Sequence, residues 1–160
     1  MNNSTSPNFS AALMRIIKLS CYKEKDCFAE FLSGVNSIRS NYEWSQNIYD
    51  ENNIDNVYLI LSKGTVFGFI ECTYQHMNFI SDTPIKIILH EIHVTQGRSN
   101  KGIGRAVLSY LLRKGIPIEM VVANQNQNML ALVDKFNAEH KYITENTRTV
   151  IISPALENFV

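Results

Sequence analysis

Apolar and polar positions along this chain follow two periods, and the switches between them mark out its elements. Residues 13–19 form a short apolar run with paired isoleucines, which predicts a first strand. Residues 23–32 place Cys27, Phe28, Phe31 and Leu32 on one helical face, and residues 37–49, with Ile38, Tyr42 and Ile48 or Tyr49, predict a second helix. Two β-rich runs, 57–61 and 66–75, flank Ser62-Lys63-Gly64-Thr65 and predict an antiparallel hairpin. Residues 85–95 again look like a strand, with Leu89 and Val94 set among Lys86, His90, Glu91 and His93. From Ile103 the apolar residues Ala106, Val107, Tyr110 and Leu111 recur at helical spacing until Gly115 and Pro117 stop the helix. A strand over 117–123, a helix over 127–140 with Met129, Leu132, Val133 and Phe136 inward, and a strand over 149–153 complete the order.

Composition narrows the class. A chain of 160 residues, 45% apolar and 19% charged, fits one ordinary globular domain, expected over 11–160 after a flexible polar start at 1–10. Fifteen basic residues balance fifteen acidic ones, leaving no general field for nucleic acid or anionic membrane. Cys21, Cys27 and Cys72 form no CxxC pair and have no interleaved histidines at ligand spacing, so reduced thiols and no metal site are expected. Residues 1–10 lack the basic-then-apolar order of a signal peptide, and no run approaches the ~18 apolar residues of a membrane span, so a cytoplasmic setting is expected.

The most informative chemistry lies between the fourth expected strand and the helix that follows it. Gln96-Gly97-Arg98-Ser99-Asn100-Lys101-Gly102-Ile103-Gly104-Arg105 brings backbone N–H groups to the positive end of a helix. Gly102 and Gly104 let main chain approach phosphate oxygens, while Lys101 and Arg105 add charge-assisted hydrogen bonds. A Walker A loop would need Lys then Ser/Thr after its second glycine, where Ile103 and Gly104 stand; a dinucleotide fingerprint would need Gly or Ala at Val107.

The stretch 94–112 resembles motif A of the GNAT acyltransferases, in which a strand ends in valine and a Lys-Gly-Ile-Gly turn starts a helix eight residues on, as Val94 and Gly102 do here. Val121-Val122 followed by Asn126-Gln127-Asn128-Met129-Leu130-Ala131-Leu132 is similar to that family's second cofactor-contacting strand and helix. The resemblance implies a mixed α/β fold: a mostly antiparallel twisted sheet of about six to seven strands, flanked by about four helices, with strands 4 and 5 splayed for the cofactor. It implies acetyl-coenzyme A as cofactor, with main-chain groups of Ile92, His93, Val94 and Thr95 pairing with pantetheine as an added strand. Pyrophosphate would be held by Arg98, Ser99, Asn100, Lys101, Gly102, Ile103, Gly104 and Arg105, with Asn126 at the family's usual asparagine. Ser99 and Asn100 depart from the family's Arg/Gln and glycine, and Val133 stands where it often has a tyrosine that protonates the leaving thiolate.

Direct transfer to a protonated amine requires a base beside the diverging strands. Glu91 is favoured, since the strand resembles family members with a glutamate there; His93 is the second candidate, and Tyr142 is a candidate donor for the thiolate. Residues 41–55 contain Glu43, Asp50, Glu51 and Asp55 without Lys or Arg, and Tyr42, Glu43, Trp44 and Tyr49 are expected to wall a pocket for a small cationic amine. The expected protein is thus an N-acetyltransferase for a small-molecule amine acceptor, with a homodimer among its expected partners. The alternatives are a non-catalytic acyl-coenzyme A sensor and a protein or peptide N-acetyltransferase.

Overall fold

The structure, a computed structural model, describes residues 9–40, 48–77, 84–95 and 102–154. The strands are β1 (Met14–Lys18), β2 (Val57–Ser62), β3 (Thr65–His76), β4 (Pro84–Val94), β5 (Ile118–Ala123), β6 (Glu139–Lys141) and β7 (Thr147–Ile152). The α-helices among the described residues are α1 (Phe28–Arg39), α2 (Ile103–Leu112) and α3 (Gln127–Asp134); short 3-10 turns occupy Ala11–Leu13 and Leu19–Tyr22. The sheet order is β1-β2-β3-β4-β5-β7-β6. This is the expected mixed, mostly antiparallel sheet, with β4 and β5 its parallel pair. No helix among the described residues is long and apolar enough to cross a membrane.

The chain forms two compact units, Met1–Glu71 with Ile92–Ala106 and Cys72–Glu91 with Val107–Val160, so that β3 and β4 each contribute residues to both. In the first unit, Leu19, Val35, Tyr49, Ile54, Val57, Leu59, Leu61 and Phe69 form a buried cluster. Helix α1 packs on it through Phe28, Phe31, Leu32, Val35 and Ile38, the stripe that a 3.6-residue period requires. The apolar face expected over 23–32 is therefore real but continues six residues farther, through Val35 to Ile38, and the helix begins at Phe28. Of the residues expected to form a second helix over 37–49, Ser37, Ile38 and Arg39 end α1, Tyr49 is in irregular chain, and residues 41–47 lie outside the described residues. The β2–β3 hairpin closes through Lys63 and Gly64, both at positive φ (54° and 79°), the signature of a type I′ turn. An extra residue, Phe67, bulges β3 where Ile60 faces Gly68 and Leu61 faces Val66.

In the second unit, β5 pairs along its whole length with β7, and β7 with β6. Buried side chains there include Ile87, Leu89, Val107, Leu108, Leu111, Ile118, Val133, Val150 and Ile152. Helix α3 ends at Asp134, six residues before the expected His140, because Asn137 takes a left-handed φ of 56° and turns the chain into β6. That strand, Glu139–Lys141, carries no apolar alternation and had no signal in the sequence. His140 Nε2 lies 2.8 Å from Asp134 Oδ1, and its Nδ1 lies 3.2 Å from Arg148 Nη1, which ties β6 to both α3 and β7.

Candidate active site

Strand β4 brings the expected cofactor and base positions onto one element. In the second unit it pairs with β5 in parallel through only Ile87 and Ile88, opposite Ile118 and Glu119; Met120 to Ala123 then pair with β7 alone. Two strands in register for two residues and then separately paired are strands that have parted. Glu91, partly buried, follows this short ladder by three residues.

In the first unit β4 continues through Ile92, His93 and Val94. The Thr95 N–H donates to Phe67 O at 2.8 Å, so that Thr95 faces β3 with its main chain. The His93 carbonyl also turns toward β3: a Cβ built on Gly68 would lie 2.1 Å from His93 O and 3.0 Å from Val94 Cα. No side chain fits there, and Gly68 is what allows this approach. With His93 and Thr95 committed toward β3, the alternation of an extended strand turns the N–H and C=O of Val94 to its opposite edge. Of the four residues expected to pair with pantetheine, Val94 is thereby best placed, and the Thr95 N–H is already engaged.

Helix α2 begins at Ile103, and its first intrahelical bond runs from Ala106 N–H to Gly102 O at 3.0 Å. The N–H groups of Ile103, Gly104 and Arg105 precede that ladder and are the orphan donors of a helix start. Gly102 has φ +78°, and a Cβ there would meet nothing within 4 Å. The Thr95 Oγ1 is buried and has no hydrogen-bond partner among the described residues. A left-handed glycine with no atom of the described residues near its missing Cβ, followed by helix-start amides, fits the phosphate-bearing end of the expected cofactor. Arg98, Ser99, Asn100 and Lys101 lie outside the described residues.

His93 is 4% exposed and its ring lies 4.9 Å from that of Phe69. Phe69 in turn meets Tyr49 edge-on at 5.9 Å. Tyr49 is itself 4% exposed, clamped to α1 by Asn36, whose side chain accepts from Tyr49 N–H at 2.7 Å and donates to Tyr49 O at 2.9 Å. The Arg39 guanidinium lies 4.3 Å from the ring centroid of Tyr49, and the Tyr49 hydroxyl donates to Glu71 Oε1 at 2.5 Å. The ring expected to receive an amine is thus a core residue already stacked by a cation of the chain itself; what it presents is its hydroxyl. Tyr42, Glu43 and Trp44 lie outside the described residues. Glu71 was not among the sequence candidates, although it is the lone charge in the run 66–75, which was the available signal.

No protein-family model matches the sequence, and no curated protein matches it. Solved structures do match its fold. A protein from Arabidopsis thaliana in complex with the bisubstrate analogue CoA-Ac-MVNAL superposes with a TM-score of 0.62 at 15% identity, covering 88% of this chain and 99% of that one. A GNAT-family acetyltransferase from Bacillus cereus gives 0.59 at 15% identity over 89% and 98% of the two chains. Diaminobutyrate acetyltransferase from Paenibacillus lautus, in complex with L-2,4-diaminobutyric acid and coenzyme A, gives 0.56 at 15% identity over 88% and 93%. The fold is that of the GNAT acetyltransferases.

On this GNAT fold the remaining candidates fall in the second unit. Asn126 caps α3, its Oδ1 accepting the Met129 N–H at 3.1 Å. Val133 is fully buried, so its position serves the core. Tyr142 is 77% exposed and sits at φ 51° just after β6. Among the described residues, no group of three or more His, Cys, Asp or Glu side chains is placed to hold a metal.

Proposed function

We propose that the chain is an acetyl-coenzyme A-dependent N-acetyltransferase acting on a primary amine. The observation that carries this reading is the run from Val94 to α2. Val94, whose main chain is turned away from β3, precedes left-handed Gly102, where a Cβ would meet no atom of the described residues within 4 Å, and the start of α2. The same fold holds coenzyme A in the Paenibacillus lautus structure and a coenzyme A-linked analogue in the Arabidopsis thaliana one.

Bound acetyl-coenzyme A supplies an activated thioester. The chain supplies orientation and proton transfer. Val94 aligns the pantetheine arm by main-chain hydrogen bonds, and the amides of Ile103, Gly104 and Arg105, with the Arg105 charge, hold the pyrophosphate. Glu91, on the same strand, removes the proton of the acceptor ammonium directly or through one water, and His93 is the second candidate. Removal of that proton would free the amine lone pair for the thioester carbonyl, with coenzyme A thiolate as the group that would leave. Tyr142 is the exposed candidate for returning a proton to the thiolate. The acceptor is a small cationic amine, the protein's three free thiols suit the cytoplasm, and a homodimer is the proposed assembly.

The buried Val133 favours one second reading, a domain that binds acyl-coenzyme A without turnover. A protein or peptide acceptor is the third, supported by the peptide portion of the analogue in the Arabidopsis thaliana complex. Purified protein, acetyl-coenzyme A and a panel of amines and short peptides, with release of free thiol followed, separates all three. Turnover with small amines supports the proposal, binding without turnover selects the sensor, turnover only with peptides selects the third, and absence of acetyl-coenzyme A binding overturns the coenzyme A reading.

A further inference from the structure

Glu71 lies on β3 between Ile70 and Cys72, both buried, and opposite Val57 of β2. It is partly buried, and the Tyr49 hydroxyl is its hydrogen-bond partner. Among the described residues it has no other hydrogen bond and no ion pair with a lysine, arginine or histidine. The Arg39 guanidinium lies over the Tyr49 ring, 4.3 Å from its centroid. A carboxylate whose partners among the described residues amount to one neutral donor keeps acceptor capacity for a cation.

Its setting is rigid. Asn36 fixes both backbone groups of Tyr49 to α1, Arg39 covers its ring, and Phe69 abuts it edge-on, so the hydroxyl that orients Glu71 Oε1 has little freedom. Glu71 and Phe69 are two apart on β3, hence on one face and about 7 Å apart along the strand. Phe69 is the residue on which His93 of β4 rests, next to Val94.

We propose that Glu71, oriented by Tyr49, is the anchor for a second cationic group of the acceptor. The acceptor class is then a diamine or a basic amino acid. This rests on the acetyltransferase reading and names the residue that selects its substrate.

The test is direct binding, which needs no turnover. Calorimetry with 1,4-diaminobutane and, separately, butylamine is run on the wild-type protein, Glu71→Gln, Glu71→Asp and Tyr49→Phe. The wild type is expected to bind the diamine at least tenfold more tightly than the monoamine. Glu71→Gln should erase that preference, Glu71→Asp should retain part of it, and Tyr49→Phe should weaken it severalfold. Without any variant, the carboxyl carbon resonance of Glu71 in the wild-type protein should move on addition of the diamine and not of butylamine. Equal binding of the two amines to the wild type, an unchanged preference in Glu71→Gln, or a Glu71 resonance that ignores the diamine overturns the inference. Acetyl-coenzyme A titrated into the same preparations separates the two claims: its failure to bind removes the acetyltransferase reading and leaves the diamine result to stand by itself.

Discussion

Gly68 illustrates how a residue without a side chain determines the shape of a site. A Cβ there would lie 2.1 Å from a main-chain oxygen, His93 O, which cannot swing aside as a side-chain tip would. Gly68→Ala should cost about 1–3 kcal/mol of unfolding free energy in urea titration and weaken acetyl-coenzyme A, because β4 must retreat from β3 and carry Val94 with it. An alanine variant with unchanged stability and affinity would remove this account. Glu91→Gln makes the complementary case: turnover should fall roughly 10²- to 10⁴-fold with the acetyl-coenzyme A dissociation constant unaltered, and unaltered turnover would exclude Glu91 as the base. Glu91 and His93 were singled out because they lie two apart on the strand that ends in the glycine turn, Glu91 first by resemblance, and both lie on β4. Glu71 was not, since a single carboxylate in a strand is usually solvent-facing; only the fold brings Tyr49, twenty-two residues earlier, to its oxygen. Tyr49 was legible as an aromatic in an acidic segment, but the cation on its ring comes from Arg39 and not from a substrate.

At the scale of elements, wherever a periodic pattern was long enough the sequence and the structure agree. The four strands read from 13–19, 57–61, 66–75 and 85–95 appear as β1 to β4 within one or two residues at most ends, and α2 begins at the expected Ile103. Helix ends were harder, because they are set by capping and left-handed residues that carry little hydrophobic signal. Asn137 stops α3 early, and the three-residue β6 is visible only once β7 is there to pair with it. Asn126 shows how one side chain can be read two ways: the resemblance implies a cofactor contact, while the structure engages its Oδ1 as the α3 cap. Asn126→Ala should therefore cost about 0.5–2 kcal/mol, and Asn126→Asp should restore most of it, as measured by thermal or urea unfolding. If the alanine variant also loses acetyl-coenzyme A affinity by more than its stability loss explains, the side chain serves both purposes; an unaltered affinity assigns it to the cap alone.

For the whole molecule, the division into two compact units matters because β3 and β4 belong to both. Neither unit can melt completely without withdrawing residues from a strand that the other uses, so unfolding should be one cooperative transition. The residues proposed to hold the pantetheine and pyrophosphate, Val94 and Ile103 to Arg105, lie in the first unit. A ligand bound there to the native chain alone stabilises it by RT ln(1 + [L]/Kd), about 2.7 kcal/mol at a hundred times the dissociation constant. For a chain of this size that corresponds to a rise in Tm of roughly 5–10 °C. Coenzyme A should produce that rise in a single transition, whereas pantetheine, which lacks the pyrophosphate, should produce much less at the same concentration because the amides of α2 and Arg105 then have nothing to hold. Equal shifts with the two compounds would show that the glycine turn is not the phosphate site. A split into two transitions, of which only one responds, would show instead that the shared strands do not couple the units, and that the cofactor region folds and binds as a separate cooperative body.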